Sequence, residues 1–195
     1  MKKTCLIIGN GPSLANVPNE FLAKYPTFGS NRIYLKFTPD YYSYVDKLFV
    51  GLYIDDIKKL ASKEKFIRAN YASQVPGAHP IHQIGGYDFS FRPLEYVHGG
   101  YTITYVNLQL AFFYGFERVG LIGVDHDYGA KDAKDWHFTP DYYSMNDPYK
   151  RQNLGETEPS YRLAKQVYEL SGREIINLTN GSKLDVFRRE DWRTW

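Results

Sequence analysis

The stretch Cys5-Leu6-Ile7-Ile8-Gly9-Asn10-Gly11-Pro12-Ser13-Leu14 decides the fold of this chain. Its apolar residues, Cys5 to Ile8, do not alternate with polar ones, which is the pattern of a strand buried on both faces of a parallel sheet. A Gly-Asn-Gly-Pro-Ser turn follows at once. Gly9 and Gly11 allow the backbone to approach a ligand closely, and Pro12 suits the first position of a helix, where its missing N–H costs nothing. Ser13 and the free N–H groups of that helix end would then face an anion, with the positive end of the helix dipole behind them. A tight turn that binds nothing has the same residues. Asn10 favours binding, because it offers a donor and an acceptor at the carboxyl end of a first strand, where open α/β sheets hold ligands.

Working outward, the 195 residues suit one domain over 1–195, long enough to bury a full core. The 24 basic and 22 acidic residues nearly cancel, so no nucleic-acid-tracking surface is expected. Eighteen Tyr, 12 Phe and 3 Trp suggest a semi-polar cleft, or half-buried packing. A single cysteine, Cys5, excludes an internal disulfide and fits a reducing compartment such as the cytoplasm. The apolar run after Met1-Lys2-Lys3 is too short for a signal peptide, and no stretch approaches a transmembrane segment.

Strand and helix patterns alternate along the chain. Helices are expected over Asn19 to Tyr25, Leu52 to Ser62, Thr102 to Tyr114 and Tyr161 to Leu170; strands over Thr27 to Tyr34, Tyr41 to Val45, Phe66 to Ala69, Arg118 to Val124 and Glu174 to Leu178. Tyr87 to Phe91 alternates like an edge strand inside an irregular region rich in Pro and Gly. Gly129 to Pro159 has no sustained period and reads as a lid-like excursion, and the tail as a capping turn with a short helix. The sum is an α/β fold, a Rossmann-like three-layer sandwich with a mostly parallel central sheet.

Four segments resemble one family in the right order. Ile8-Gly9-Asn10-Gly11-Pro12-Ser13-Leu14 is similar to the nucleotide-binding opening of the bacterial sialyltransferases of glycosyltransferase family 42, an opening shared by Maf-type motility proteins and the 6-hydroxymethylpterin diphosphokinase-like group. Ser30-Asn31-Arg32-Ile33-Tyr34, the run from Tyr114 to Asp125, and Asn177 to Ser182 resemble further family segments. The opening and the Gly123-Val124-Asp125 strand end are the specific parts. The resemblance implies a CMP-sugar donor site with no required cofactor. In it Gly9, Asn10, Gly11, Ser13 and Asn31 hold the nucleotide, Asp125 closes the base or ribose side, and Thr102 and Thr104 stand where the family has Thr-Ser-Gly, here without the Ser and the Gly. It also implies a lid in which Tyr128, Tyr142 and Tyr143 meet the leaving phosphate and His137 is the general base.

Elementary chemistry agrees with those roles. A departing phosphate is stabilised by hydroxyl and amide donors aimed at its charge. An acceptor hydroxyl must lose a proton, and histidine is the side chain suited to take it near neutral pH. The plainer reading of His137 is a loop histidine beside Trp136. Asp125-His126-Asp127 raises a lesser possibility of Mg²⁺ or Mn²⁺ on a diphosphate. His79 and His82 have no third ligand in view and read as surface or acceptor-site residues. The expected function is transfer of a sugar from a nucleotide donor to a glycan or other hydroxyl acceptor, in a chain that can be an oligomer. The alternatives are a Mg-dependent pyrophosphokinase-like enzyme using ATP, which needs more carboxylates, and a nucleotide-binding module without catalysis.

Overall fold

The computed structural model describes residues 2–47, 49–129, 132, 135–143 and 153–195. The opening apolar run forms β1 (Thr4–Ile8), with Cys5 to Ile8 buried. It pairs in parallel on one side with β2 (Thr27–Ser30) and on the other with β8 (Arg118–Ile122). From β2 the sheet continues through β3 (Tyr41–Tyr44) and β4 (Glu64–Arg68) to β5 (His79–Ile81); from β8 it continues through β9 (Glu174–Asn177) to β10 (Arg188–Arg189). All eight strands are parallel in the order β10-β9-β8-β1-β2-β3-β4-β5. The chain winds outward from β1 to β5 and then returns to β8 on the other side. The order therefore reverses between β1 and β8, and the crevice outside their carboxyl ends is where such sheets bind ligands.

Both faces of the sheet are covered, because alternate β1 residues point opposite ways. Cys5 and Ile7 join a core beneath α4 (Ile103–Phe113) and α5 (Leu154–Leu170); Leu6 and Ile8 join a second core with Leu14, Leu22, Ile57 and Ile176 on the other side. On that second face lie α1 (Asn19–Leu22), α2 (Ile54–Lys59) and α3 (Ala69–Ala72). The expected three-layer α/β sandwich is the observed one.

Helix α4 is buried almost all round, so its polar residues must be satisfied internally. Asn107 Oδ1 accepts the Ser43 hydroxyl at 2.6 Å. Gln109 uses both ends of its amide. Its Oε1 accepts the N–H groups of Ser90 and His98, and its Nε2 donates to the His98 and Tyr105 carbonyls. These bonds pin the irregular 83–101 segment to the helix.

Several boundaries differ from expectation for local reasons. Helix α5 begins at Leu154, so the excursion read over 129–159 ends before its last residues, despite Pro159. Asn153 caps the first turn, and the Thr157 hydroxyl donates to the Leu154 carbonyl, which the proline does not prevent. Residues 87–91 are not a strand, because Asp88 and Ser90 bond to the following backbone N–H groups and turn the chain. A small parallel pair, β6 (Gln83–Ile84) with β7 (Val97–His98), brackets that loop instead. The tail contributes the edge strand β10 where a short helix was expected; there Arg188 bonds Glu174 and Glu190, and Arg118 bonds Glu190.

Candidate active site

At the carboxyl end of β1 the chain stays bonded to β8 beyond both strands. The Gly9 N–H donates to the Ile122 carbonyl at 2.7 Å, and the Gly11 N–H to the Gly123 carbonyl at 2.8 Å. A side chain has no room at either glycine. A Cβ on Gly9 would lie 2.4 Å from the Gly123 oxygen, and one on Gly11 1.9 Å from Asp125 Oδ2. The close approach expected toward a ligand is thus made to the β8 turn. Pro12 opens a five-residue 3₁₀ turn, Pro12–Asn16, at the position expected for it. The anion expected at that helix end is supplied by the protein: Asp125 accepts the Ser13 N–H at 3.0 Å and the Ser13 hydroxyl at 2.8 Å.

That arrangement leaves Asn10 as the polar side chain of the turn that is not turned to Asp125. Its Nδ2 donates to the Ser30 carbonyl at 3.2 Å, tying the ends of β1 and β2 together. Its Oδ1 is buried with no partner among the described residues, an acceptor whose desolvation is uncompensated. Asn31 follows β2 with φ of 54°, a left-handed conformation that asparagine tolerates better than most residues. The Asn31 carbonyl accepts the Tyr42 hydroxyl at 2.6 Å.

Residues 135–143 fold back over this end of the sheet. The Phe138 N–H donates to the Asn10 carbonyl at 3.2 Å, and His137 Nδ1 lies 3.1 Å from the same oxygen. His137 Nε2 lies 3.0 Å from the Tyr143 hydroxyl, and the imidazole stacks on Tyr142 with ring centroids 3.6 Å apart. Burial lowers the His137 pKa to about 4, partly opposed by the bond to Asn10. A carbonyl accepts only, so Nδ1 carries the proton and Nε2 presents its lone pair. Arg32 fastens the segment to β2 by donating to the Asp141 and Tyr142 carbonyls, while its guanidinium stacks on Tyr53.

Two hollows meet around His137. The smaller, about 130 Å³, is lined by Gly9, Asn10, Gly11, Asn31, Thr102, Thr104, Asp125 and Tyr128 among others. The larger cleft, about 850 Å³, is lined by Arg32, Tyr44, Tyr53, Arg68 and Tyr143 among others, and shares Asn31, Thr102, Tyr128, His137 and Tyr142 with the smaller one. The cleft alone has the roughly 300–1,000 Å³ of a small-molecule site. Thr102 is the N-cap of α4, accepting the Thr104 N–H, and its Oγ1 stands 3.5 Å from the Tyr161 hydroxyl. Of the expected residues, Ser13 is turned to Asp125, and the others named line one or both hollows.

Other expectations fall outside the site. Asp127 pairs with Lys183 at 3.1 Å, while Asp125 holds Ser13, so the two carboxylates considered for a metal serve different partners. No cluster of three or more His, Cys, Asp or Glu suited to a metal occurs among the described residues. The Asn177–Ser182 segment braces the end of β8 through Thr179 and Ser182. His79 pairs with Glu64 at the opposite end of the sheet. The excursion residues 130, 131, 133, 134 and 144–152 lie outside the described residues.

Arg32 and Tyr53 are site residues to which the sequence alone assigns no role. Arg32 had a signal, since it directly follows Asn31. His126, which the sequence offers both in a metal pattern and as an alternative base to His137, lines the smaller hollow with φ of 54°, its Nε2 3.6 Å from Glu158. Burial lowers its pKa against the pull of Glu158.

No protein-family model matches the chain, and no curated protein matches it. Solved structures do. The sialyltransferase CstII from Campylobacter jejuni, in complex with cytidine-5'-monophosphate, superposes with a TM-score of 0.57 at 17% identity, over 96% of this chain and 84% of that one. The same enzyme in complex with CMP-3FNeuAc gives a TM-score of 0.56 at 18% identity, over 97% and 86%. These structures speak for the sialyltransferase part of the resemblance and give no support to the Maf-type and pterin diphosphokinase-like part. No helix among the described residues is long and apolar enough to cross a membrane. At such identity the likeness is one of fold, and the chain has the Rossmann-like α/β fold of these sialyltransferase structures.

Proposed function

We propose that this chain is a sialyltransferase-like glycosyltransferase that takes a sugar from a CMP-type donor and passes it to an acceptor hydroxyl. The observation that carries the reading is His137, held between the Asn10 carbonyl and the Tyr143 hydroxyl at the point where strand order reverses. The CMP-bound sialyltransferase neighbours of like fold support it.

The donor's nucleoside lies against Asn10, Asn31 and Asp125. The orphan acceptor on Asn10 and the Asp125 carboxylate suit ribose hydroxyls or a base amino group, and repel phosphate oxygens. The phosphate therefore lies further out, toward Tyr128 and Tyr143. His137 Nε2 takes the proton of the acceptor hydroxyl as its oxygen bonds the anomeric carbon, and the C–O bond to the phosphate breaks with its electrons leaving on the CMP. When the acceptor occupies Nε2, the Tyr143 hydroxyl is released to donate to that departing phosphate. Asp125 and Asp127 have protein partners, so the step is assigned no metal.

Thermal unfolding with CMP, UDP, GDP and ATP, each with and without Mg²⁺, tests the reading. A ligand that binds only the native state raises its stability by mass action. CMP should raise the melting temperature most and without Mg²⁺, and CMP-sialic acid should be consumed when an acceptor glycan is present. No shift with any nucleotide sinks the proposal; a shift with ATP alone, dependent on Mg²⁺, favours the pyrophosphokinase-like alternative.

A further inference from the structure

Asn-Gly occurs twice in the chain, at Asn10-Gly11 and at Asn180-Gly181. The two steps have opposite surroundings. At the first, the Gly11 N–H donates to the Gly123 carbonyl at 2.8 Å and the Asn10 amide donates to the Ser30 carbonyl at 3.2 Å, so both groups are held in a half-buried turn. At the second, both residues are exposed, and neither the Gly181 N–H nor the Asn180 amide has a hydrogen bond among the described residues. The Ser182 N–H donates to the Thr179 carbonyl at 3.2 Å and Gly181 has φ of 73°, a type II turn with glycine where that turn requires it. A Cβ at Gly181 would meet nothing within 4 Å, so the peptide there is open to solvent.

This turn is also a clamp on the end of β8. Thr179 Oγ1 accepts the Val124 N–H at 3.0 Å, the Ser182 hydroxyl donates to the Val124 carbonyl at 2.7 Å, and the Lys183 N–H donates to the Asp125 carbonyl at 2.9 Å. Thr179 and Ser182 are buried, and Val124, Asp125 and His126 line the smaller hollow. The exposed tip at 180 and 181 thus joins two buried residues that hold both backbone groups of Val124.

We propose that Asn180 is a self-modification site, at which the chain converts its own asparagine, a thermolabile residue, into isoaspartate. The exposed Gly181 nitrogen bonds Cγ of Asn180, the C–N bond of the side-chain amide breaks, and the Gly181 proton passes through water to the ammonia that leaves. One water then opens the cyclic imide. Opening at the side-chain carbonyl restores the chain with aspartate; opening at the main-chain carbonyl leaves the backbone running through the side-chain carbons, as isoaspartate. One water is consumed and one ammonia released, with no oxidation. Isoaspartate puts an extra backbone atom inside the ring that the Thr179–Ser182 bond closes, and so draws Thr179 and Ser182 out of step on Val124. Asn10 is spared, because the Gly11 nitrogen and the Asn10 amide are both bonded elsewhere.

The proposal is independent of the transferase reading, and its readouts need no nucleotide. After incubation in warm, mildly alkaline buffer, peptide mapping and labelling by an isoaspartyl methyltransferase should show isoaspartate at Asn180 forming at least about tenfold faster than at Asn10, which must first open locally. In urea that protection is gone, and the two sites should convert at like rates. The aged protein should melt roughly 2–4 °C below the fresh one, the shift that loss of about one net hydrogen bond brings in a chain of this size. Asn180→Asp carries the new charge without the extra backbone atom and should melt as the parent does. Asn180→Gln, whose longer side chain closes the ring poorly, should neither convert nor lose stability on ageing. Conversion at Asn10 as fast as at Asn180 in the folded protein overturns the proposal. So does an intact Asn180 over a span in which the urea-unfolded chain converts there, and so does isoaspartate at 180 with an unchanged melting temperature.

Discussion

His137 Nδ1 lies 3.1 Å from the carbonyl oxygen of Asn10, although 127 positions separate the two in the chain. The residue whose side chain faces the smaller hollow thereby fixes, through its backbone, the tautomer of the candidate base. In the proposed reading donor binding and proton transfer meet at one residue, so the two functions can be separated only by side-chain substitution.

His137→Ala should lower kcat by about 10²- to 10⁴-fold, the usual contribution of a general base, while CMP affinity stays nearly unchanged. The Asn10 carbonyl remains bonded by the Phe138 N–H in the variant, so the smaller hollow keeps its shape. Asn10→Ala should weaken CMP binding roughly 5- to 150-fold, through loss of a buried acceptor and of the tie to Ser30. Titration calorimetry with single-turnover rates distinguishes the two. A His137→Ala enzyme as fast as the parent would show that the base is another residue, with His126 the first to test.

Stability should fall on acidification because His137 is buried in its neutral form. Its pKa is about 4 in the folded protein against an ordinary 6.5, so the unfolded chain binds a proton first as the pH drops. The neutral-form advantage is whole above pH 6.5, is lost progressively toward pH 4, and then levels off. The gap between 6.5 and about 4 corresponds to roughly 3 kcal/mol at most. Urea unfolding of the parent and of His137→Gln, at pH 7 and at pH 4.5, should show a smaller acid loss in the variant. Equal losses would place the acid sensitivity elsewhere, for instance at His126.

The parts of this molecule legible in its sequence are those governed by local pattern. Cys5 to Ile8 had to be an inner parallel strand, since no polar residue interrupts it, and Gly9 to Pro12 had to turn it into a helical start. Less legible was what depends on partners distant in the chain. Nothing in Ser13 says that its donors meet Asp125, 112 positions away, instead of a ligand. The start of α5 was hidden because Pro159 reads as a breaker, while the cap that offsets it, Asn153, lies in a polar run. Left-handed Tyr101, with φ of 60°, was invisible because tyrosine carries no preference for that backbone.

The paired tyrosines differ in ways the sequence could not separate. The Tyr143 hydroxyl meets His137 Nε2, whereas the buried Tyr142 stacks under the imidazole and its hydroxyl accepts the Arg32 N–H at 3.4 Å. Tyr143→Phe should lower kcat about tenfold with little change in melting temperature, as one hydrogen bond near the reacting atoms is lost. Tyr142→Phe should cost about 1 kcal/mol of stability by leaving the Arg32 N–H without that acceptor, and should affect the rate less. Equal kinetic losses in the two variants would contradict this division.

The last expectation concerns Gly11 and Asp125, which share one volume. A Cβ at Gly11 would lie 1.9 Å from Asp125 Oδ2 and 2.9 Å from the Gly123 carbonyl oxygen. In Gly11→Ala the carboxylate must swing away, and the Ser13 N–H and hydroxyl lose their acceptor. Asp125→Ala loses the same two bonds directly, a cost like that of removing a helix cap, about 1–2 kcal/mol. Gly11→Ala should cost more, because the Gly123 backbone can yield less than a side chain. In the double variant the Ser13 bonds are lost once, not twice, so its destabilisation should fall short of the sum of the single ones by about 1–2 kcal/mol. Urea unfolding of the four proteins measures this. Additive losses would mean that the Asp125 carboxylate does not occupy the space beside Gly11, and the donors of Ser13 would then be open to an anion after all.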